Sequence, residues 1–169
     1  PNVAYVMVGP PVDSKEDEIL VNELLHFDGT KIVCGGTTSQ IVCRVSGREI
    51  RTMIDYISPD VPPIAKIEGI DLVTEGVITL GKALELMKKY EQGGVVRDNA
   101  LNYKKDGAHL LAQKLILECT GAKFVVGRAL NPAHQNPDMP IDLSIKLRLV
   151  QEIADCLRRM DKEVVVEYH

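Results

Sequence analysis

Three short segments of this sequence combine residue types that could do chemistry. In the first, Cys34-Gly35-Gly36-Thr37-Thr38, two glycines and two hydroxyls directly follow the β-branched run Lys31-Ile32-Val33-Cys34. Glycines let backbone N–H groups come close to an oxyanion, a helix starting there adds a favourable partial charge, and Thr37 and Thr38 can donate hydrogen bonds. Phosphate or carboxylate is the natural guest. The segment matches neither G-x-x-x-x-G-K-[ST] nor G-x-G-x-x-G, so it indicates a ligand class and no particular cofactor. A tight turn with Thr37 or Thr38 as a helix cap would use the same residues.

The second segment is Thr74-Glu75-Gly76, at the end of another apolar run. A carboxylate there can bind a ribose hydroxyl, a metal or a substrate amine, or it can cap a turn. The third spans Arg128 to Pro140 and contains Asn131-Pro132-Ala133-His134-Gln135-Asn136-Pro137-Asp138. Prolines reduce the entropy lost when polar side chains are ordered around a ligand. His134 can serve as a general acid or base, or as a metal ligand. Gly35, Gly36, Thr37, Thr38, Glu75, Gly76, Asn131 and His134 form the candidate ligand-binding set.

No catalytic residue is assigned: the chain shows no Ser-His-Asp order, no H-E-x-x-H and no paired-carboxylate spacing. Asp98-Asn99 and Asp106-Gly107 stand where turns and caps favour these residues anyway, and no metal site is expected. His26, His109 and His169 read as ordinary helix or terminal residues. Cys34, Cys43, Cys119 and Cys156 are widely spaced without a C-x-x-C pair, which suits buried, reduced thiols.

These segments need elements to hold them. Val3 to Val8 reads as a strand closed by Gly9-Pro10-Pro11, and Asp13 or Ser14 should cap a helix over about 15 to 26. Lys31 to Cys34 is a buried strand, Ser39 to Val45 a helix, and Glu49 to Met53 an edge strand, with Tyr56 to Pro63 irregular. A strand at Ile70 to Val73 leads into a helix with the stripe Leu80, Ala83, Leu84 and Met87. Residues 91 to 105 read as a mobile surface loop, and Asp106 as the cap of a helix carrying Leu110, Leu111, Leu115, Ile116 and Cys119. Ala122 to Val126 is a strand, Leu130 to Pro140 a long turn, and Asp142 caps a helix to Met160 with the stripe Ile145, Leu149, Ile153, Cys156 and Met160. Glu163 to Tyr168 is the last strand.

Strands alternating with helices predict an α/β fold: a mostly parallel sheet of about five or six strands with helices on both faces, a three-layer α/β/α sandwich. At 169 residues the chain is one domain, residues 1–169. Beginning at Pro1 directly before a strand, it reads as the C-terminal part of a longer protein. Apolar residues at 45% and charged residues at 26% exclude wholesale disorder. The net charge of −4 and seven scattered aromatics argue against a nucleic-acid partner. No apolar run approaches the ~18 residues of a membrane span, so no membrane partner is expected and the cytoplasm is the expected compartment.

Val8-Gly9-Pro10-Pro11, Ile32 through Thr38, Gly69-Ile70-Asp71-Leu72-Val73-Thr74-Glu75-Gly76 and Asn131 through Pro137 together resemble the C-terminal region of bacterial proteins of the stage II sporulation protein E family of serine phosphatases. The resemblance runs over nearly the whole chain in motif order. It implies an upstream phosphatase core as partner, with Mn²⁺ or Mg²⁺ held by aspartates preceding Pro1; no position here matches that core, so no cofactor is expected in this chain. The expected function is a regulatory or ligand-binding domain of a metal-dependent serine/threonine phosphatase, binding an anionic small molecule at its strand-end loops. One alternative is a phosphate-handling hydrolase using His134 and Glu75. Another is a domain that forms a homodimer, or docks the phosphatase core, through the helix over 143 to 160.

Overall fold

The computed structural model describes residues 1–54, 58–93, 101, 104–130 and 141–169, with the backbone alone at 141 and 142. Seven strands form one sheet: β1 (Val3–Val8), β2 (Thr30–Cys34), β3 (Ile50–Thr52), β4 (Ala65–Ile67), β5 (Leu72–Thr74), β6 (Gly121–Val126) and β7 (Glu163–Tyr168). Among the described residues five α-helices accompany them: α1 (Glu16–His26), α2 (Gly36–Ser46), α3 (Val77–Gln92), α4 (Gly107–Gln113) and α5 (Ile141–Arg159).

The order across the sheet is β3-β4-β5-β2-β1-β6-β7. Strands β5, β2, β1, β6 and β7 are all parallel, and β3 and β4 add an antiparallel edge. From β1 the chain steps to β2, crosses to the far edge at β3, works back through β4 to β5, and then returns to lay β6 and β7 on the other side of β1. The chain leaves β1 for α1 on one face and β6 for α5 on the other, so the strand order reverses between them, the place where doubly wound sheets hold ligands.

Period-two alternation sends the side chains of β1 to two separate cores. Ala4, Val6 and Val8 pack with Leu80, Ala83 and Met87 of α3, Leu111 of α4, and Val150, Ile153 and Leu157 of α5. Tyr5 and Met7 pack against Leu20, Val21 and Leu24 of α1 and Val42 of α2 on the opposite face. Helices thus cover both faces, as the α/β/α reading requires.

The local differences from expectation have physical reasons. The extra strand, β4, is three residues long and follows Pro62-Pro63, too short to show alternation. Helix α2 begins at Gly36, ahead of the expected Ser39, because Thr38 and Ser39 are buried in its first turn. The N-cap position of α1 is Lys15 without a side-chain cap, although Asp13 Oδ1 accepts the Lys15 N–H at 3.0 Å. Helix α5 starts at Ile141, one residue before its expected cap, Asp142. Asp106 does cap α4, accepting the His109 N–H, but the helix then widens into a π-helical turn over Lys114–Glu118. Within the segment expected to be a surface loop, Leu101 is buried in the core; most of that segment lies outside the described residues.

Candidate functional site

At the carboxyl edge of the sheet, the turn after β2 is shaped by Gly35. Its φ of 115° and ψ of 139° suit glycine alone, and a Cβ there would stand 3.1 Å from Thr38 Oγ1. The Gly35 N–H donates to the Thr74 carbonyl at 3.0 Å, joining this turn to the end of β5. Gly36 behaves differently: it is exposed as the first residue of α2, and a Cβ on it would meet nothing within 4 Å.

Thr38 is 1% exposed and its Oγ1 accepts the Gly9 N–H at 2.8 Å, tying the β2 turn to the end of β1. The Thr38 hydroxyl oxygen thus serves the backbone of Gly9 as an acceptor. Thr37, half-buried, is also engaged in an interaction. Gly76 sits at the N-terminus of α3, where a Cβ would lie 3.7 Å from Gly35 Cα. The Glu75 Oε2 atom is enclosed and makes no hydrogen bond among the described residues. Asn131 and His134 lie outside the described residues, as does the rest of 131–140.

The turns after β2 and β5 thus form one continuous rim, and the Thr38–Gly9 bond joins it to the end of β1. Gly9, with a φ of 84°, faces Gly127 so closely that a Cβ on Gly127 would collide with the carbonyl oxygens of Pro10 and Gly9. A Cβ on Gly9 would collide with Lys146 Nζ, so the ammonium group lies directly against this turn. Gly9 is therefore in contact with Thr38 on one side and Lys146 on the other.

Sequence reading missed Lys146. It lies on the face of α5 that continues through Val150, Ile153 and Leu157, all 0% exposed, at spacings of four, three and four residues. A lysine heading such a stripe is the signal that could have exposed it. Burial lowers its pKa from the ordinary 10.5. Among the described residues it has neither an ion pair nor a hydrogen bond.

On the β5 side, burial first and the Glu75 charge second push the Cys34 thiol up to about 11, against a hydrogen bond from Thr74. Cys34 is thus a protonated core thiol at neutral pH and no nucleophile. All four cysteines are free. Among the described residues no group of three or more His, Cys, Asp or Glu could hold a metal ion, and no helix is long and apolar enough to cross a membrane.

The arrangement can attract an anion: a partly buried cation lies against the Gly9 turn, which Thr38 links to the start of an eleven-residue helix. No family model matches the chain, and neither a curated protein nor a solved structure does.

Proposed function

We propose that the chain is a regulatory or ligand-binding domain that takes an anionic small molecule beside Lys146 at the carboxyl ends of β1 and β6, in a protein whose catalytic part is a phosphatase of the stage II sporulation protein E type. The observation that carries the binding reading is Lys146, a partly buried cation without a countercharge among the described residues, packed against Gly9 at the point where the strand order reverses. A charge held out of water is costly unless a counter-ion relieves it. The motif resemblance supports the attachment to a phosphatase, and the metal ions of that activity belong to the upstream core.

Turnover through His134 and Glu75 has less support, since His134 lies outside the described residues and Glu75 Oε2 is enclosed. Docking through the apolar stripe of α5 is disfavoured because Leu149, Ile153 and Cys156 of that stripe are already buried in this chain's own core.

The test is thermal unfolding with inorganic phosphate, small carboxylates and nucleotides, on the wild type and on Lys146→Met. A ligand at about 100 times its Kd adds roughly 2.7 kcal/mol, which for a chain of this size raises Tm by about 5 to 10 °C. The expected result is such a rise in the wild type and none in the variant. Equal shifts in both proteins, or no shift with any anion, would refute the reading.

A further inference from the structure

A second concave region lies where the start of α4 meets α3 and the segment between β3 and β4, and it includes neither Lys146 nor Gly9. It consists of two cavities that share Ser58, Val61 and Asp106. One, of about 190 Å³, is apolar, with Met53, Val61, Pro62, Ile64 and Leu110 in its walls and Lys105 beside them. The other, of about 290 Å³, is polar, with Lys82, Lys89, Lys104, Asp60, Glu85 and His109 around it.

The charges of the polar cavity balance: Lys82, Lys89 and Lys104 share its lining with the carboxylates of Asp60, Glu85 and Asp106. Such a lining selects neither an anion nor a cation, and a charged guest would give up hydration there without a net countercharge. Two side chains give the cavity direction. Asp106, 6% exposed, accepts the His109 backbone N–H through Oδ1 at 2.9 Å, and the same oxygen lies 2.9 Å from His109 Nδ1. A carboxylate can only accept, so in the neutral ring Nδ1 carries the proton and Nε2 is left as an acceptor. Nε2 has no partner among the described residues, and it is not among the polar atoms that the protein encloses without one. Ser58, common to both cavities, accepts the Asp60 N–H at 3.4 Å, and its own proton goes to no acceptor among the described residues. Gly107 brings the start of α4 close to the apolar wall, since a Cβ there would stand 3.1 Å from Ile64.

We infer that this pair of cavities is a site for a small uncharged alcohol or phenol, a compound with an apolar group of about ring size and a hydroxyl. An apolar cavity of about 150 Å³ accommodates benzene, so 190 Å³ suits a ring or a short branched chain. The hydroxyl would lie where the two cavities join, donating to His109 Nε2 and accepting from Ser58 Oγ. An ammonium can only donate and a carboxylate can only accept, so of the three head groups only a hydroxyl matches both side chains.

The experiment titrates the full chain at about pH 8, where free imidazole is neutral, with phenol, benzyl alcohol, toluene, benzoate and benzylamine, followed by calorimetry and by NMR signals of Ile64, Leu110 and His109. At least one of the two hydroxyl compounds should bind and shift all three signals. Toluene, benzoate and benzylamine should each bind about fivefold or more weakly, the worth of one net hydrogen bond. His109→Phe keeps the backbone N–H that Asp106 caps and should reduce the affinity of the hydroxyl compound to that of toluene. Ile64→Trp or, if that variant fails to fold, Met53→Trp fills the apolar cavity and should weaken binding by about fivefold or more. Lys146→Met should leave this binding unchanged, which separates it from the site beside Lys146. The inference is overturned if neither hydroxyl compound binds, if toluene, benzoate or benzylamine binds equally well, if His109→Phe keeps the preference, if filling the apolar cavity changes nothing, or if Lys146→Met abolishes the response.

Discussion

Lys146 shows what a single charge does when the fold places it at the end of a buried stripe. Because burial lowers its pKa below 10.5, the unfolded chain holds this proton more tightly than the folded one. Its contribution is therefore unfavourable at neutral pH and is relieved as pH rises from the folded value through 10.5. Lys146→Met should accordingly be more stable than the wild type at pH 7 in urea unfolding, with the difference shrinking toward pH 10.5. A variant less stable at pH 7 would show that the ammonium anchors the fold instead. Cys34 runs the other way: its pKa of about 11 makes its stabilisation complete below 9 and lost as pH rises through 11. This loss occurs in both proteins and cancels in the comparison.

Among the elements, the turn from β2 into α2 tests which local feature shapes the rim. Gly35 and Gly36 are indistinguishable as letters, yet only Gly35 has a positive φ and a neighbour within reach of a Cβ. Gly35→Ala should cost about 1 to 3 kcal/mol, the strain of a side chain in that backbone region. Gly36→Ala should be neutral or stabilising by up to about 1 kcal/mol, because it restricts the unfolded chain without a clash. Urea midpoints of the two variants settle the point, and equal losses would contradict the assigned geometry. The same turn shows a limit of local reading. Thr and Ser favour caps, so the hydroxyl run suggested a helix start at Ser39, whereas Thr38 bonds to Gly9, 29 positions away in sequence.

Across the whole molecule, stability should follow position in the sheet. β1 is central, with parallel neighbours on both sides, and Ala4 to Val8 are all buried, while β3 is an exposed three-residue edge. Native-state hydrogen exchange should find the amides of Tyr5 to Val8 among the slowest, opening only with global unfolding, and those of Ile50 to Thr52 exchanging far sooner. Protection of β3 equal to that of β1 would break this ranking. By itself the sequence determined the longer strands and helices, though not β4, and which of their side chains face inward, as the stripe Leu80, Ala83, Leu84 and Met87 and the run Ala4 to Val8 show. Such burial periods are local properties of a chain, repeated every two or 3.6 residues. Only the tertiary structure decided that Gly9, Thr38, Gly127 and Lys146 meet. Those contacts depend on the side of the sheet to which each crossover returns and on how closely two backbones approach, and neither quantity is written in any local stretch of residues.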